Sequence, residues 1–246
     1  FIGHGQTRFL LELLAAKAPF NIARIVDETT LTAALAALRA DHPSVVQLIE
    51  EGHPIPLRKR PEGLGTLCEI ITSQVISRRA ADVLWRRLTA TLDPNDAHAV
   101  TEAPDSAFLD AGLTRSKMSA MRHAAMAIQN GSLVLDNPTD GSRQGLGGRT
   151  ALDALKHLTA IKGIGPWTAE VYLLFAVGHL DVFPAGDVAL QSMVQSHFER
   201  PERPKAVEVR RLVEPFQPLR GVLARVFYAA YGARQTATPT WRGAPV

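Results

Sequence analysis

The segment Leu158–Asp187, with the sequence LTAIKGIGPWTAEVYLLFAVGHLDVFPAGD, decides the fold of this 246-residue chain. Gly163 and Gly165 surround a single isoleucine, and Pro166 follows at the first position of a predicted helix, where proline is well tolerated. Glycine at both positions allows a positive φ angle and lets a ligand approach the backbone without a Cβ atom in the way. The free amides at the start of that helix, with the positive end of its dipole, form an anion site. The alternative is a plain helical corner with glycine caps.

A carboxylate closes the same segment. Asp187 follows a loop that begins at Asp181, and it precedes a predicted helix, a position at which aspartate commonly caps the helix. Taken alone, the residue type favours this capping role. The same carboxylate could also act on a molecule whose phosphate backbone the hairpin holds. Asp181 is the rival carboxylate, and we expect it to cap a turn or to pair with an arginine.

Helical periodicity runs through nearly the whole chain, and no stretch alternates long enough to indicate a sheet. The apolar pattern over Leu67–Leu92 is predicted to break near Thr72–Ser77, where β-branched and polar residues cluster. A helix is predicted over Pro166–Val177, directly after the hairpin. These patterns predict an all-α fold.

The composition is that of a globular protein, with 46% hydrophobic and 21% charged residues. The formal net charge of +3 permits binding to nucleic acid without indicating it. The single cysteine, Cys68, excludes a disulfide framework and any four-cysteine iron–sulfur cluster in this chain. No apolar run is long enough for a membrane span, and the first residues lack the layout of a signal peptide. We therefore expect an intracellular, cytoplasmic protein.

The quoted segment resembles the helix-hairpin-helix (HhH-GPD) DNA glycosylase superfamily, in which such a hairpin is followed by a Gly/Pro-rich loop and an aspartate. Within it, Gly165-Pro166-Trp167-Thr168-Ala169 looks like the 3-methyladenine DNA glycosylase II (AlkA-like) branch. The resemblance spans roughly Glu62 to Tyr231 and implies the fold of that superfamily.

The resemblance implies two helical lobes with an active-site cleft between them. Residues 62–186 would form the central lobe, which carries the hairpin. Residues 1–61 and 187–246 would form the second lobe from both ends of the chain, and this lobe would carry the aspartate.

The resemblance also implies roles for individual residues, with Asp187 as the catalytic one. The other assignments are a base pocket of Trp167, Val171, Tyr172 and Leu219; a wedge of Gln74 and Val75 that fills the hole left by a flipped nucleotide; DNA phosphate contacts from Lys162, Gly163, Gly165, Thr168 and Arg220; and a Na⁺ or K⁺ ion held by the backbone carbonyls of Thr159, Ile161 and Ile164. Gln74 and Val75 have the alternative of being ordinary helix-junction residues.

Trp167 bears on the reaction. In relatives that also cut the DNA strand, this position carries a lysine that forms a Schiff base with the sugar, which tryptophan cannot do. The resemblance therefore implies a monofunctional enzyme of base excision repair that flips and hydrolytically removes alkylated, 3-methyladenine-type bases, leaving an abasic site. Trp167 would stack on the electron-poor base, or it would be a core residue under the hairpin. Two other functions stay open: a glycosylase for deaminated or etheno bases, and a non-catalytic hairpin module that only binds DNA.

The same resemblance implies the partners. We expect double-stranded DNA with damaged bases as the binding partner, and no membrane. We expect a monomer that associates with the nucleoid through DNA and that requires no cofactor besides the ion at the hairpin.

Overall fold

The structure, a computed structural model, describes residues 24–50, 54–135 and 145–237. Within these ranges the chain forms α-helices and no β-strand, apart from a single bridge between Arg24 and His179. The described helices are α1 (Glu28–Asp41), α2 (Val46–Glu50), α3 (Leu64–Thr72), α4 (Arg78–Thr89), α5 (Ala97–Glu102), α6 (Asp105–Leu109), α7 (Arg115–Gln129), α8 (Ala151–Thr159), α9 (Pro166–Tyr172), α10 (Val188–His197), α11 (Ala206–Leu212) and α12 (Arg220–Ala237). The predicted all-α fold is confirmed.

The chain forms two compact units. Of the described residues, unit 1 contains 27–50, 54–57 and 180–237, and unit 2 contains 24–26, 58–135 and 145–179. In unit 1, helix α12 packs against α1 and α10. In unit 2, α3 packs against α7 and α9, and α9 against α8. The predicted lobe boundaries at 62 and 186 stay a prediction, because residues 1–23 lie outside the described residues.

Capping side chains set the starts of the helices around the hairpin and the wedge. Ser77 accepts a hydrogen bond from the amide of Ala80 at 3.3 Å, so α4 begins anew after the break that follows α3. Thr114 caps α7 in the same way, and Thr150 caps α8. Each such bond satisfies an amide that the helix itself leaves without a partner, which fixes where the helix begins. The break predicted near Thr72–Ser77 is confirmed.

Helix α9 continues as one π-helical turn over Leu173–Val177 and ends at Gly178, whose φ is 85°. A Cβ atom at Gly178 would lie 2.1 Å from the carbonyl oxygen of Ile25, so only glycine fits there. The Arg24 Nε donates to the Val177 carbonyl at 2.8 Å, and the Ile25 amide donates to the Gly178 carbonyl at 2.6 Å. These bonds satisfy carbonyls at the end of the helix and anchor it at the end away from the hairpin.

Candidate active site

The hairpin between α8 and α9 is built around Gly163. Its φ is 93°, a left-handed conformation, and a Cβ atom there would lie 2.6 Å from the Cβ of Ala120 on α7. Both the backbone angle and the close packing therefore require glycine. The Lys162 carbonyl accepts a hydrogen bond from the Nδ1 of His123 at 3.2 Å, which ties the turn to α7 a second time. The hairpin is held rigidly against α7.

Gly165 differs from Gly163. Its φ is −84°, so it does not use the positive φ that glycine allows. It is exposed at the N-cap of α9, Pro166 takes the first turn as predicted, and nothing lies within 4 Å of where a Cβ would be. The surface in front of this helix start is therefore open to a ligand, and the exposed Lys162 adds a charge on the same turn. This arrangement suits an anion such as a DNA phosphate.

Thr168 does not face that surface. Its side chain is buried, and its hydroxyl accepts a hydrogen bond from the Nε2 of Gln74 at 2.8 Å. The sequence assigned Thr168 to phosphate, and the structure instead places its side chain on the inner face of α9. Trp167, its neighbour, is half-buried.

The predicted wedge residues lie in the turn between α3 and α4. Val75 is fully exposed, at 102% of its reference area, and its φ of 59° is left-handed. Such a backbone angle costs a β-branched residue roughly 1–3 kcal/mol. An exposed aliphatic side chain gains little from folding in return. The neighbouring Ile76 is 38% exposed, so the turn presents an aliphatic tip to the surroundings.

Two residues predicted to line the base pocket are core residues instead. Tyr172 has no exposed surface; its hydroxyl accepts a hydrogen bond from the Gly63 amide at 2.8 Å and is 3.4 Å from the Gly63 carbonyl. Leu219 is also buried, with 3% of its surface exposed. Neither side chain has a free face to offer to a base, so both assignments are corrected. The other two residues of the predicted pocket, Val171 and Trp167, are half-buried.

Asp187 is the N-cap of α10. Its Oδ1 accepts hydrogen bonds from the amides of Ala189 at 2.9 Å and Leu190 at 3.3 Å, and the residue is half-buried. The capping role expected from the residue type is therefore confirmed. These two bonds fix the orientation of the carboxylate on a rigid helix, as a reacting group requires, so capping and catalysis do not exclude each other.

Asp181, the rival carboxylate, is part of a buried ion pair. Its two oxygens accept hydrogen bonds from the Nε and Nη2 of Arg220, each at 2.6 Å, and the Nε2 of Gln217 adds a third at 3.2 Å. Asp181 is 4% exposed. The predicted pairing with an arginine is confirmed, and the structure gives Arg220 a structural partner. The two donors that bind Asp181 are not available to the DNA phosphate that the sequence assigned to Arg220.

Lys117 is a residue whose place the sequence did not reveal. It is 8% exposed, and its Nζ donates to the Thr72 carbonyl at 2.8 Å. Burial lowers the pKa of this ammonium group. The signal was present, because Lys117 lies three and four residues before the apolar Ala120 and Met121, on the buried face of α7.

No group of three or more His, Cys, Asp or Glu side chains in the described part of the chain is arranged to hold a metal ion. Burial raises the pKa of the Cys68 thiol to about 12. Among the described helices, none combines the length and the apolar character that crossing a membrane would need.

The family follows from the sequence comparison. The profile of the HhH-GPD superfamily base excision DNA repair proteins matches residues 68–218, more than half of the chain. The chain belongs to this superfamily, as the hairpin sequence indicated.

Relatives within the superfamily are named for alkylated bases. The alkylbase DNA glycosidase-like protein mag2 of Schizosaccharomyces pombe is 25% identical over 183 residues, covering 72% of this chain and 83% of mag2. DNA-3-methyladenine glycosylase 1 of the same organism is 25% identical over 202 residues, covering 80% of this chain and 86% of that protein. The crystal structure of a DNA-3-methyladenine glycosidase from Bacillus halodurans superposes with a TM-score of 0.66 at 25% identity, covering 83% of this chain and 91% of that one. The predicted 3-methyladenine branch is confirmed.

Proposed function

We propose that the protein is a monofunctional DNA glycosylase that flips alkylated, 3-methyladenine-type bases out of duplex DNA and removes them by hydrolysis. The names of its relatives and its base excision repair family support this function. One structural observation carries the proposal: the Asp187 carboxylate is oriented by two amides at the start of a helix, in the same chain as an open glycine hairpin.

Asp187 would act on the sugar. Breaking an N-glycosidic bond builds positive charge on the sugar ring, as in glycoside hydrolysis. A carboxylate about 4 Å from that charge contributes roughly 4 kcal/mol at an effective dielectric constant near 20. The same carboxylate would orient or deprotonate the attacking water. An alkylated, cationic base is already a good leaving group, which is why this single carboxylate suits such substrates.

The hairpin would hold the DNA, and the wedge turn would replace the extruded base. Lys162 and the exposed helix start at Gly165 suit a backbone phosphate. The exposed Val75 suits the gap that a flipped nucleotide leaves, offsetting part of the few kcal/mol that unstacking costs. The indole of the half-buried Trp167 would stack on an electron-poor base.

The enzyme would not cut the strand. A lyase step needs a primary amine that attacks the sugar, and the indole of Trp167 provides none. The protein would work as a monomer on damaged duplexes and would need no cofactor for hydrolysis, since water and a carboxylate suffice.

We also propose that the hairpin carbonyls of Thr159, Ile161 and Ile164 bind Na⁺ or K⁺. The Ile161 carbonyl accepts the amide of Ile164 at 3.0 Å and has a second lone pair for an ion. Thermal unfolding in KCl or NaCl, compared with tetramethylammonium chloride at equal concentration, tests this. A higher melting temperature with the small cations supports the site, and equal melting temperatures refute it.

The function is tested by base release from methylated duplex DNA under single-turnover conditions, followed by strand cleavage with and without alkali. The proposal predicts release of 3-methyladenine and strand breaks only after alkali. Breaks without alkali, or a covalent complex trapped by borohydride, would refute the absence of lyase activity. Release confined to hypoxanthine, uracil or ethenoadenine duplexes would show that the substrates are deaminated or etheno bases and not alkylated ones. Binding without release from any duplex would favour a non-catalytic module.

A further inference from the structure

The exposed wedge turn is held by a buried charge. Helix α3 ends at Thr72, and its carbonyl accepts the Lys117 Nζ at 2.8 Å. The Thr72 hydroxyl donates to the Cys68 carbonyl at 2.9 Å and the Ser73 hydroxyl to the Ile70 carbonyl at 2.7 Å, so the last turn of α3 is fully bonded. A cation suits the negative end of a helix, but burying a lysine is costly and rare. The buried lysine therefore bonds the carbonyl of Thr72, which lies three residues before Val75.

The face of α7 that carries Lys117 also carries the hairpin. Ala120 and His123 follow Lys117 at intervals of three residues, a spacing that puts the side chains on one side of a helix. Ala120 contacts the hairpin at Gly163, and the His123 Nδ1 donates to the carbonyl of Lys162 at 3.2 Å. A single rigid helix thus touches the wedge turn and the phosphate hairpin.

A direct hydrogen bond also joins the wedge turn to the hairpin helix. Gln74, the residue before Val75, donates its amide to the Thr168 hydroxyl at 2.8 Å, and Thr168 is in the first turn of α9. The wedge turn is therefore attached to α7 through the Thr72 carbonyl and to the hairpin helix through Gln74, the residue directly before Val75. With both attachments in place, the turn has little freedom to relax from its left-handed backbone at Val75.

We propose that Lys117 is a positioning residue that acts through the Thr72 carbonyl and fixes Val75 at a set distance from the hairpin. The wedge then enters the duplex when the hairpin grips the phosphate backbone. This inference rests on the proposed function, because it assigns Val75 the role of filling the gap left by a flipped nucleotide. Lys117 itself contacts neither the DNA nor the reacting atoms.

The first test measures base unstacking in a duplex from which no base can be released. Fluorescence of 2-aminopurine placed beside an abasic-site analogue reports whether the wedge enters the duplex. Lys117→Met keeps an unbranched side chain one atom shorter than lysine and removes the ammonium; we expect it to lose most of the unstacking signal and at least tenfold in base-release rate. Its affinity for undamaged duplex should change less than twofold. Val100→Ala, a buried truncation in α5, serves as the control for lost stability.

A double-mutant cycle separates positioning from stability. If Lys117 acts through Val75, then Lys117→Met should cost no further activity in a Val75→Gly background. Thr168→Val, which removes the acceptor of the Gln74 amide with little change in volume, should reduce unstacking in the same direction and provides a second variant if Lys117→Met does not fold. Additive losses in the cycle, or unstacking reduced no more than in Val100→Ala, would overturn the proposal.

The proposed function and the role of Lys117 are refuted by different results. Wild-type protein that releases no base from any duplex would refute the glycosylase, and the unstacking assay would still decide the role of Lys117. Wild-type protein that does not unstack 2-aminopurine at all would overturn the positioning role whatever its activity.

Discussion

Gly163→Ala and Gly165→Ala are expected to impair different properties. The first should lower stability, and the second should weaken DNA binding. At Gly163 the new Cβ would lie 2.6 Å from the Cβ of Ala120, on a backbone with a φ of 93°. The left-handed angle costs about 1–2 kcal/mol and the overpacking about 1–3 kcal/mol, so Gly163→Ala should lower the free energy of unfolding by roughly 2–5 kcal/mol. Its melting temperature should fall by roughly 4 °C or more.

At Gly165 the φ of −84° suits alanine and nothing lies within 4 Å of the new Cβ. The poorer N-cap and the reduced entropy of the unfolded chain oppose each other, so stability should change by less than about 1 kcal/mol. The methyl group would instead keep a phosphate from the amides of α9. Losing one charge-assisted hydrogen bond should weaken duplex binding roughly tenfold or more, for damaged and undamaged DNA alike.

Chemical denaturation and fluorescence anisotropy with duplex DNA measure the two effects. Gly232→Ala in α12, which also has open space around its Cβ, is the matched control for adding a methyl group. If Gly165→Ala bound DNA like the wild type, the hairpin would not be the part of the protein that binds the DNA phosphates. If Gly163→Ala were as stable as the wild type, the packing argument against α7 would be wrong.

Two further predictions concern the cores of the two units. Tyr172→Phe should lower the free energy of unfolding by about 1–3 kcal/mol, since the half-buried Gly63 amide loses its partner, and it should leave the order of preferred lesions unchanged in a panel of damaged duplexes. His197 packs on the rings of Phe198 and Phe227, and burial lowers its pKa below the ordinary 6.5. The unfolded chain therefore binds the proton more tightly, so stability should be complete above pH 6.5 and fall as the pH drops below it. Urea denaturation at several pH values should show that His197→Leu reduces this pH dependence, and an unchanged slope would contradict it.

The sequence predicts the helices well where short-range chemistry decides them. Ser77 and Thr150 are of residue types that favour the N-cap position, and each caps a helix in the structure. Pro166 likewise begins α9. Asp187 also behaves as its residue type predicts, because capping depends on the amides two and three residues ahead of it.

Side-chain direction depends on packing between distant segments, and here the sequence fell short. Tyr172 and Thr168 are polar-tipped residues near the hairpin, yet their partners Gly63 and Gln74 are far away along the chain, so local pattern could not show that both point inward. The backbone angle of Gly165 was equally out of reach of the sequence. Glycine allows a positive φ at this residue, and the structure has an ordinary φ of −84°.

The most direct test of the central claim compares Asp187→Asn with Asp96→Asn. Asp96 caps α5 in the same way. Its Oδ1 accepts hydrogen bonds from the amides of His98 at 2.8 Å and Ala99 at 3.3 Å, two and three residues ahead, as Asp187 does at α10. Asparagine caps as well as aspartate, so both variants should fold and bind duplex DNA normally. Loss of roughly 4 kcal/mol of charge stabilisation should slow single-turnover release of 3-methyladenine by about a thousandfold in Asp187→Asn and leave Asp96→Asn at the wild-type rate. Release by Asp187→Asn at the wild-type rate would contradict the catalytic role of this carboxylate.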